Sequence, residues 1–203
     1  MRAHQARELA GLARGLLRWQ PAAGAAVLGM AVVLRAPDQI WKEAVWSLRV
    51  MALLLALGAV FALDDAAADV VAAVPLPLSW RTGLRVAAAL LWTLPGWTAA
   101  LLVAGPYLSG EGVLWSTLEL AALLACGVAL AAFLAGRGVA EPGVLAAPGL
   151  AVCWLGLYAQ PAPLALFTLR EQDWLAAHLR WAVVLGLALA ALVALSRDPA
   201  LRR

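Results

Sequence analysis

Apolar residues in this chain come in long blocks instead of recurring at the 3.6-residue interval of a surface helix. Stretches such as Val50 to Leu63 and Leu120 to Ala135 are apolar on every side, so a helix made from them has no polar face to turn toward water. A bilayer core about 30 Å thick needs roughly 20 helical residues to cross it. Six blocks are candidates: Leu16 or Pro21 to Leu34, Ala44 to Leu63, Leu84 to Ala104, Val113 to Ala135, Val144 to Tyr158 and Leu179 to Leu195. The first is confined between Arg18 and Arg35 and the fifth carries Pro148, so these two are expected as short, broken or tilted spans. The pattern predicts an all-α, polytopic integral membrane protein with about six transmembrane helices.

Composition agrees with the pattern: 65% of the residues are hydrophobic and 13% charged, with a mean hydropathy of +0.87. The net charge of +3 could point to nucleic acid, but the basic residues sit at the ends of apolar blocks and form no stripe, so no nucleic-acid partner is expected. Their distribution reads as topology instead. With the N-terminus inside, ten of the fifteen Lys and Arg fall on the inner side, among them Arg81, Arg85 and Arg137. The outer side keeps Arg35, Lys42, Arg49, Arg170 and Arg180. The excess of basic residues on one side places both termini in the cytoplasm and favours an even number of spans. Seven tryptophans, including Trp46, Trp174 and Trp181, fall near span ends as an aromatic belt does, whereas Trp92, Trp97 and Trp154 sit deep and are expected to pack. Cys126 and Cys153 lack metal-type spacing and read as two reduced core thiols.

These readings give one transmembrane domain over 1–203 with three attached segments. Residues 1–20 form an amphipathic interfacial segment, with Leu9, Leu12, Leu16 and Leu17 on one face. The outer loop 159–178, "LALFTLREQDWLAAHLR" in its second half, has enough apolar residues for interfacial or re-entrant helices that cap a cavity. The third segment is the cytoplasmic loop 64–82.

That loop has usable geometry. As a helix, Asp64 to Val74 places Asp65 and Asp69 on one face and gathers Val70, Val71 and Val74 on the other. Asp64 or Asp65 can cap its start, and Pro75 and Pro77 stop it. About 11 residues give roughly 16 Å of helix, enough to lie in a groove on a partner and too little to cross a bilayer. Trp80, Arg81 and Arg85 then return the chain to the interface.

"DDAAADVVAAVPLPLSWRTGLR" resembles the acidic coupling helix in the first cytoplasmic loop of six-span ABC-type exporter permeases, the kind paired with a separately encoded ATPase, and the segment is similar to the actinobacterial type. This chain has no Gly-Thr pair at that point, which many members of the family have. The resemblance implies a permease subunit in the cytoplasmic membrane of a bacterium, forming a translocation path as a homo- or heterodimer. It implies that Asp64, Asp65 and Asp69 face the ATPase or cap the helix, that Val70 and Val74 pack on the transporter, that Pro75 ends the element and that Arg81 and Arg85 hold the membrane surface. The chain would not be catalytic by itself: it has no GxxxxGK[ST] phosphate loop, and ATP and Mg would sit on the partner ATPase. No cofactor is expected on this chain. The alternative is a non-transporting membrane scaffold or assembly factor.

Two further charges lie within spans. Glu119, in "LWSTLELAALL", is costly in lipid and therefore a functional candidate for a translocation path or dimer interface, unless it reaches water or Arg180. Arg49 has the same standing near the outer end of the second span. His178 with Asp173 and Glu171 reads as solvated loop, since no HExxH-type spacing supports a metal. Pro95 and Gly96 in "WTLPGWTA" are expected to kink the third span.

Overall fold

The computed structural model describes residues 19–35, 40–64, 78–161, 164–168 and 171–196. Among the described residues, six α-helices form at the six apolar blocks: α1 (Trp19–Leu34), α2 (Trp41–Val60), α3 (Leu78–Ala104), α4 (Gly110–Gly136), α5 (Pro142–Leu157) and α6 (Glu171–Leu195). No strand occurs among the described residues. Short 3-10 turns, Phe61–Leu63 and Gly105–Tyr107, follow α2 and α3. Four helices are long and apolar enough to cross a membrane, and α1 and α5 are the shorter apolar pair. At 16 residues each, these two span about 24 Å, less than a bilayer core.

Helix boundaries follow local chemistry. Ser109 caps α4 by accepting from Gly112 N at 3.1 Å. The same helix ends in a Schellman turn: Gly138 takes φ +82°, its N–H donates to Ala135 O at 3.0 Å, and Val139 N donates to Leu134 O at 3.2 Å. Glycine suits that left-handed position because it has no Cβ to clash. Pro95 lies within α3 and Pro148 within α5 without ending either helix, as proline does in membrane helices where neighbouring groups satisfy the freed carbonyls.

Helix α2 is the centre of the bundle and contacts α1, α3, α4 and α5, while α4 also holds α5 and α6. Leu48, Met51, Ala52, Leu55 and Ala56 of α2 are buried in the main core with Leu120 and Leu123 of α4 and Leu150 of α5. Small residues bring the backbones close. A Cβ built on Gly58 would lie 2.7 Å from Ala22 Cα, and one on Gly127 would lie 2.7 Å from Val60 Cγ1, so these helices meet where only glycine fits. The bundle's outside is apolar: Leu91, Leu102, Val183, Leu187 and Val193 are exposed. Large exposed aliphatic residues around charges sealed inside are the arrangement of a membrane-embedded bundle.

Helices α2, α4 and α6 begin at one end of the bundle, the Trp41 end, and α1, α3 and α5 begin at the other, the Asp64 end. The structure alters several expectations. Helix α6 starts at Glu171, eight residues before the expected Leu179, with Asp173 in its first turn, where a carboxylate meets the positive end of the dipole. His178 is therefore helical and fully buried, not part of a solvated loop. Helix α3 likewise starts at Leu78, so Trp80 and Arg81 belong to a helix. Cys126 is half-buried and Cys153 exposed, which corrects the reading of two core thiols: Cys153 lies on an outward face. Trp92, expected to pack, is about half exposed, and Trp181, expected at an interface, is buried in the core.

Candidate functional site

Three charged or titratable side chains meet inside the bundle. Arg49 of α2 donates from Nε to Glu119 Oε2 at 2.9 Å and from Nη2 to Oε1 at 2.9 Å, a bidentate fork that matches guanidinium to carboxylate. His178 of α6 places Nε2 3.1 Å from Glu119 Oε1. Its Nδ1 lies 2.8 Å from Trp174 O, so both ring nitrogens face oxygen acceptors. Arg49 and Glu119 are 4% and 2% exposed and His178 is sealed completely. Helix geometry brings the three to one level. They lie eight, nine and seven residues beyond the starts of α2, α4 and α6, about 10 to 14 Å along parallel helices. Trp115 and Trp174 flank the imidazole with ring centroids at 5.2 and 4.3 Å, which keeps water away.

Burying such a cluster is costly, and removing one partner typically costs about 3–5 kcal/mol because a charge is left alone. Glu119 thus pairs with Arg49 and His178. Arg180, the partner suggested by the sequence, instead donates to Ala165 O at 2.7 Å.

That carbonyl belongs to residues 164–168, where Leu164 lies in a 3-10 turn and residues 165–168 are irregular. The segment lies against the bundle with Leu166 in the core. Its backbone groups are met one by one: Trp181 Nε1 donates to Leu166 O at 3.0 Å, Leu166 N donates to Gln160 Oε1 at 3.2 Å, and Arg49 Nη2 donates to Thr168 O at 3.3 Å. Irregular backbone packed into an apolar bundle persists only where protein groups satisfy it or it lines a cavity, and this segment has both.

The cavity is a cleft of about 800 Å³ between α2, α5 and the irregular segment. Its walls are aromatic: Trp46 and Arg49 on α2, Trp154, Leu155 and Tyr158 at the end of α5, and Phe167 on the segment. Tyr158 and Phe167 stack at 4.7 Å, and Trp154 meets both edge-on at 4.9 and 5.6 Å. Arg49 holds its Cζ 4.9 Å from the centroid of Phe167, a cation over a ring face. Volume and lining fit a small-molecule site. Among the described residues no three His, Cys, Asp or Glu side chains gather as metal ligands.

At the opposite end Asp64 is buried, 3% exposed. Its Oδ1 accepts from Gly143 N at 2.6 Å, so it caps the start of α5, where Pro142 occupies the first helical position. The Asp64 carboxylate therefore points into the bundle, because the close approach of Gly143, whose Cβ would lie 2.8 Å from Phe61 Cα, brings the free N–H of α5 to it. Arg85 of α3 donates to Leu63 O at 3.4 Å. Asp65, Asp69, Val70, Val74 and Pro75 lie outside the described residues. Arg81 is on α3, with only its backbone described. Of the sequence candidates, Arg49 and Glu119 come together and Asp64 and Arg85 approach the same turn. His178 and the Trp154 cleft were missed as site residues. The signal for His178 was its depth, since counting from Glu171 puts it level with Arg49 and Glu119. Comparison with protein-family models, with curated proteins and with solved structures finds no match to this chain.

Proposed function

We propose that this chain is the membrane-spanning permease subunit of an ABC exporter, with six spans and both termini cytoplasmic. It would form the translocation path as a dimer and be driven by separate ATPase subunits. The observation that carries the reading is the anchorage of residues 61–64, which lead into the acidic segment. Just before it, the Phe61–Leu63 turn contacts α1, α3, α4 and α5, Asp64 caps α5 and Arg85 holds Leu63 O. A force on residues 65–77 is thereby passed to several helices at once.

Helix α5 is the lever in this scheme. Its first turn is tied to Asp64 through Gly143, and its other end supplies Trp154 and Leu155 to the cleft. From Gly143 to Trp154 the helix runs about 16 Å, so tilting its capped end shifts the cleft wall. ATP hydrolysis on the partner would drive that tilt through Asp65 and Asp69, and Mg and ATP would stay with the partner. An aromatic cleft at membrane depth suits an amphiphilic cargo better than a small ion.

The test is recovery of the protein from gently solubilised membranes, comparing wild type with Asp65→Arg plus Asp69→Arg. The reading expects an ATPase to co-purify with the wild type and to be lost from the double variant, which remains inserted. No ATPase with the wild type would overturn the exporter and leave a non-transporting scaffold.

A further inference from the structure

The cleft has charges of both signs and a hydrogen-bond donor with nothing to bind. Trp154 Nε1 is buried with no hydrogen-bond partner, and Trp154 is a lining residue 5% exposed overall. Buried indole N–H groups normally find an acceptor. Arg49 lines the same space. Its Nε and Nη2 are committed to Glu119 and Thr168, while Nη1 makes no hydrogen bond to any described residue. Asp173 contributes a carboxylate to the same lining, half-buried near the start of α6. The titratable groups lining the space are Arg49, Tyr158 and Asp173.

A purely anionic ligand head would be drawn to Arg49 and Trp154 and repelled by Asp173. A purely cationic one would suit Asp173 and the rings and be repelled by Arg49. A head with one charge of each sign satisfies both sides.

The outer wall of the cleft indicates what the head is attached to. Trp46, Tyr158 and Leu155 are 49%, 49% and 63% exposed and face outward from a bundle whose surroundings are lipid. Below Leu155, Val152 and Leu145 continue the exposed apolar face of α5, a lane along which an acyl chain can lie. The volume of about 800 Å³ exceeds a head group alone and leaves room for the first part of the chains.

We propose that this cleft binds a zwitterionic aminophospholipid, its phosphate held by Arg49 and Trp154 Nε1 and its ammonium by Asp173 among the aromatic rings. The site stands whether or not an ATPase drives the chain, because its walls all come from this one polypeptide.

The test uses the purified full-length protein in mild nonionic detergent, stripped of lipid, without any ATPase. Phosphatidylethanolamine and phosphatidylglycerol with identical chains are titrated and the bound lipid counted by native mass spectrometry. Phosphatidylethanolamine is expected to bind roughly fivefold tighter, the worth of one added polar pair. Trp154→Phe keeps the ring but removes the N–H, and it should weaken both lipids by roughly fivefold. Asp173→Asn should erase the preference between them. Millimolar inorganic phosphate should displace neither. Equal binding of the two lipids by the wild type, a preference for phosphatidylglycerol, unchanged binding in both variants, or displacement by inorganic phosphate would each overturn the proposal. Failure of the stripped protein, as monomer or dimer, to take up either lipid on titration would overturn it as well.

Discussion

Two carboxylates buried among the described residues, Asp64 and Glu119, escape their desolvation penalty in different ways. Asp64 accepts a backbone N–H at the start of a helix and joins two segments 79 residues apart. Glu119 is held by two side chains, a guanidinium and an imidazole, from two other helices. The first arrangement uses a donor that α5 must leave unpaired in any case. The second brings three titratable groups out of water, and each becomes a liability if either neighbour is lost. The Asp64 end is thus suited to transmit a push, and the Trp41 end to hold three helices and an irregular segment in one fixed arrangement.

The largest effect should come from breaking the costlier end. Glu119→Ala leaves Arg49 and His178 buried together without a counter-charge and is expected to cost about 3–5 kcal/mol, read as thermal unfolding in detergent. The comparison is sharpened by Arg49→Met with Glu119→Leu. If the cluster is chiefly a desolvation burden, this pair of apolar replacements should recover most of the loss, since buried ion pairs often yield to apolar groups of similar volume. Recovery of less than half would show that the cluster contributes more than paired burial.

At the other end, Asp64→Ala should cost about 1–3 kcal/mol, the loss of a charge-assisted bond that leaves Gly143 N buried. Asp64→Asn keeps an acceptor and should cost less, and equal losses for the two would show that the cap is not the carboxylate's role. The smallest effect belongs to a cap in one connection at the bundle surface: Ser109→Ala should cost about 1 kcal/mol, and a loss as large as that of Asp64→Ala would erase the distinction between buried and surface caps.

The legible parts of this molecule were those encoded within one segment. Six apolar blocks gave six helices because a helix without a polar face can only be buried or meet lipid. Arg49 and Glu119 were visible one at a time, as ionisable residues that a span does not carry without cause. Their pairing, across 70 positions, was not visible, and neither was the third member. His178 follows Glu171, Gln172 and Asp173, a polar run that reads as loop until it is seen as the first turn of α6. The cleft was hidden for a similar reason. Trp46 looked like belt and Trp154 like core, and they became one wall only when the antiparallel packing of α2 and α5 brought their rings to 6.0 Å.

The proposed coupling requires that nucleotide on a partner ATPase move the cleft wall through α5. Its most direct test is the distance between spin labels at Leu155→Cys and Ala165→Cys, on opposite sides of the cleft, with Cys126 and Cys153 replaced by serine. The purified complex is measured with and without ATP and Mg. The account predicts a shifted distance distribution on adding nucleotide, and loss of that shift in Asp64→Ala while the ATPase stays bound. An unchanged distribution in the otherwise intact complex would contradict it.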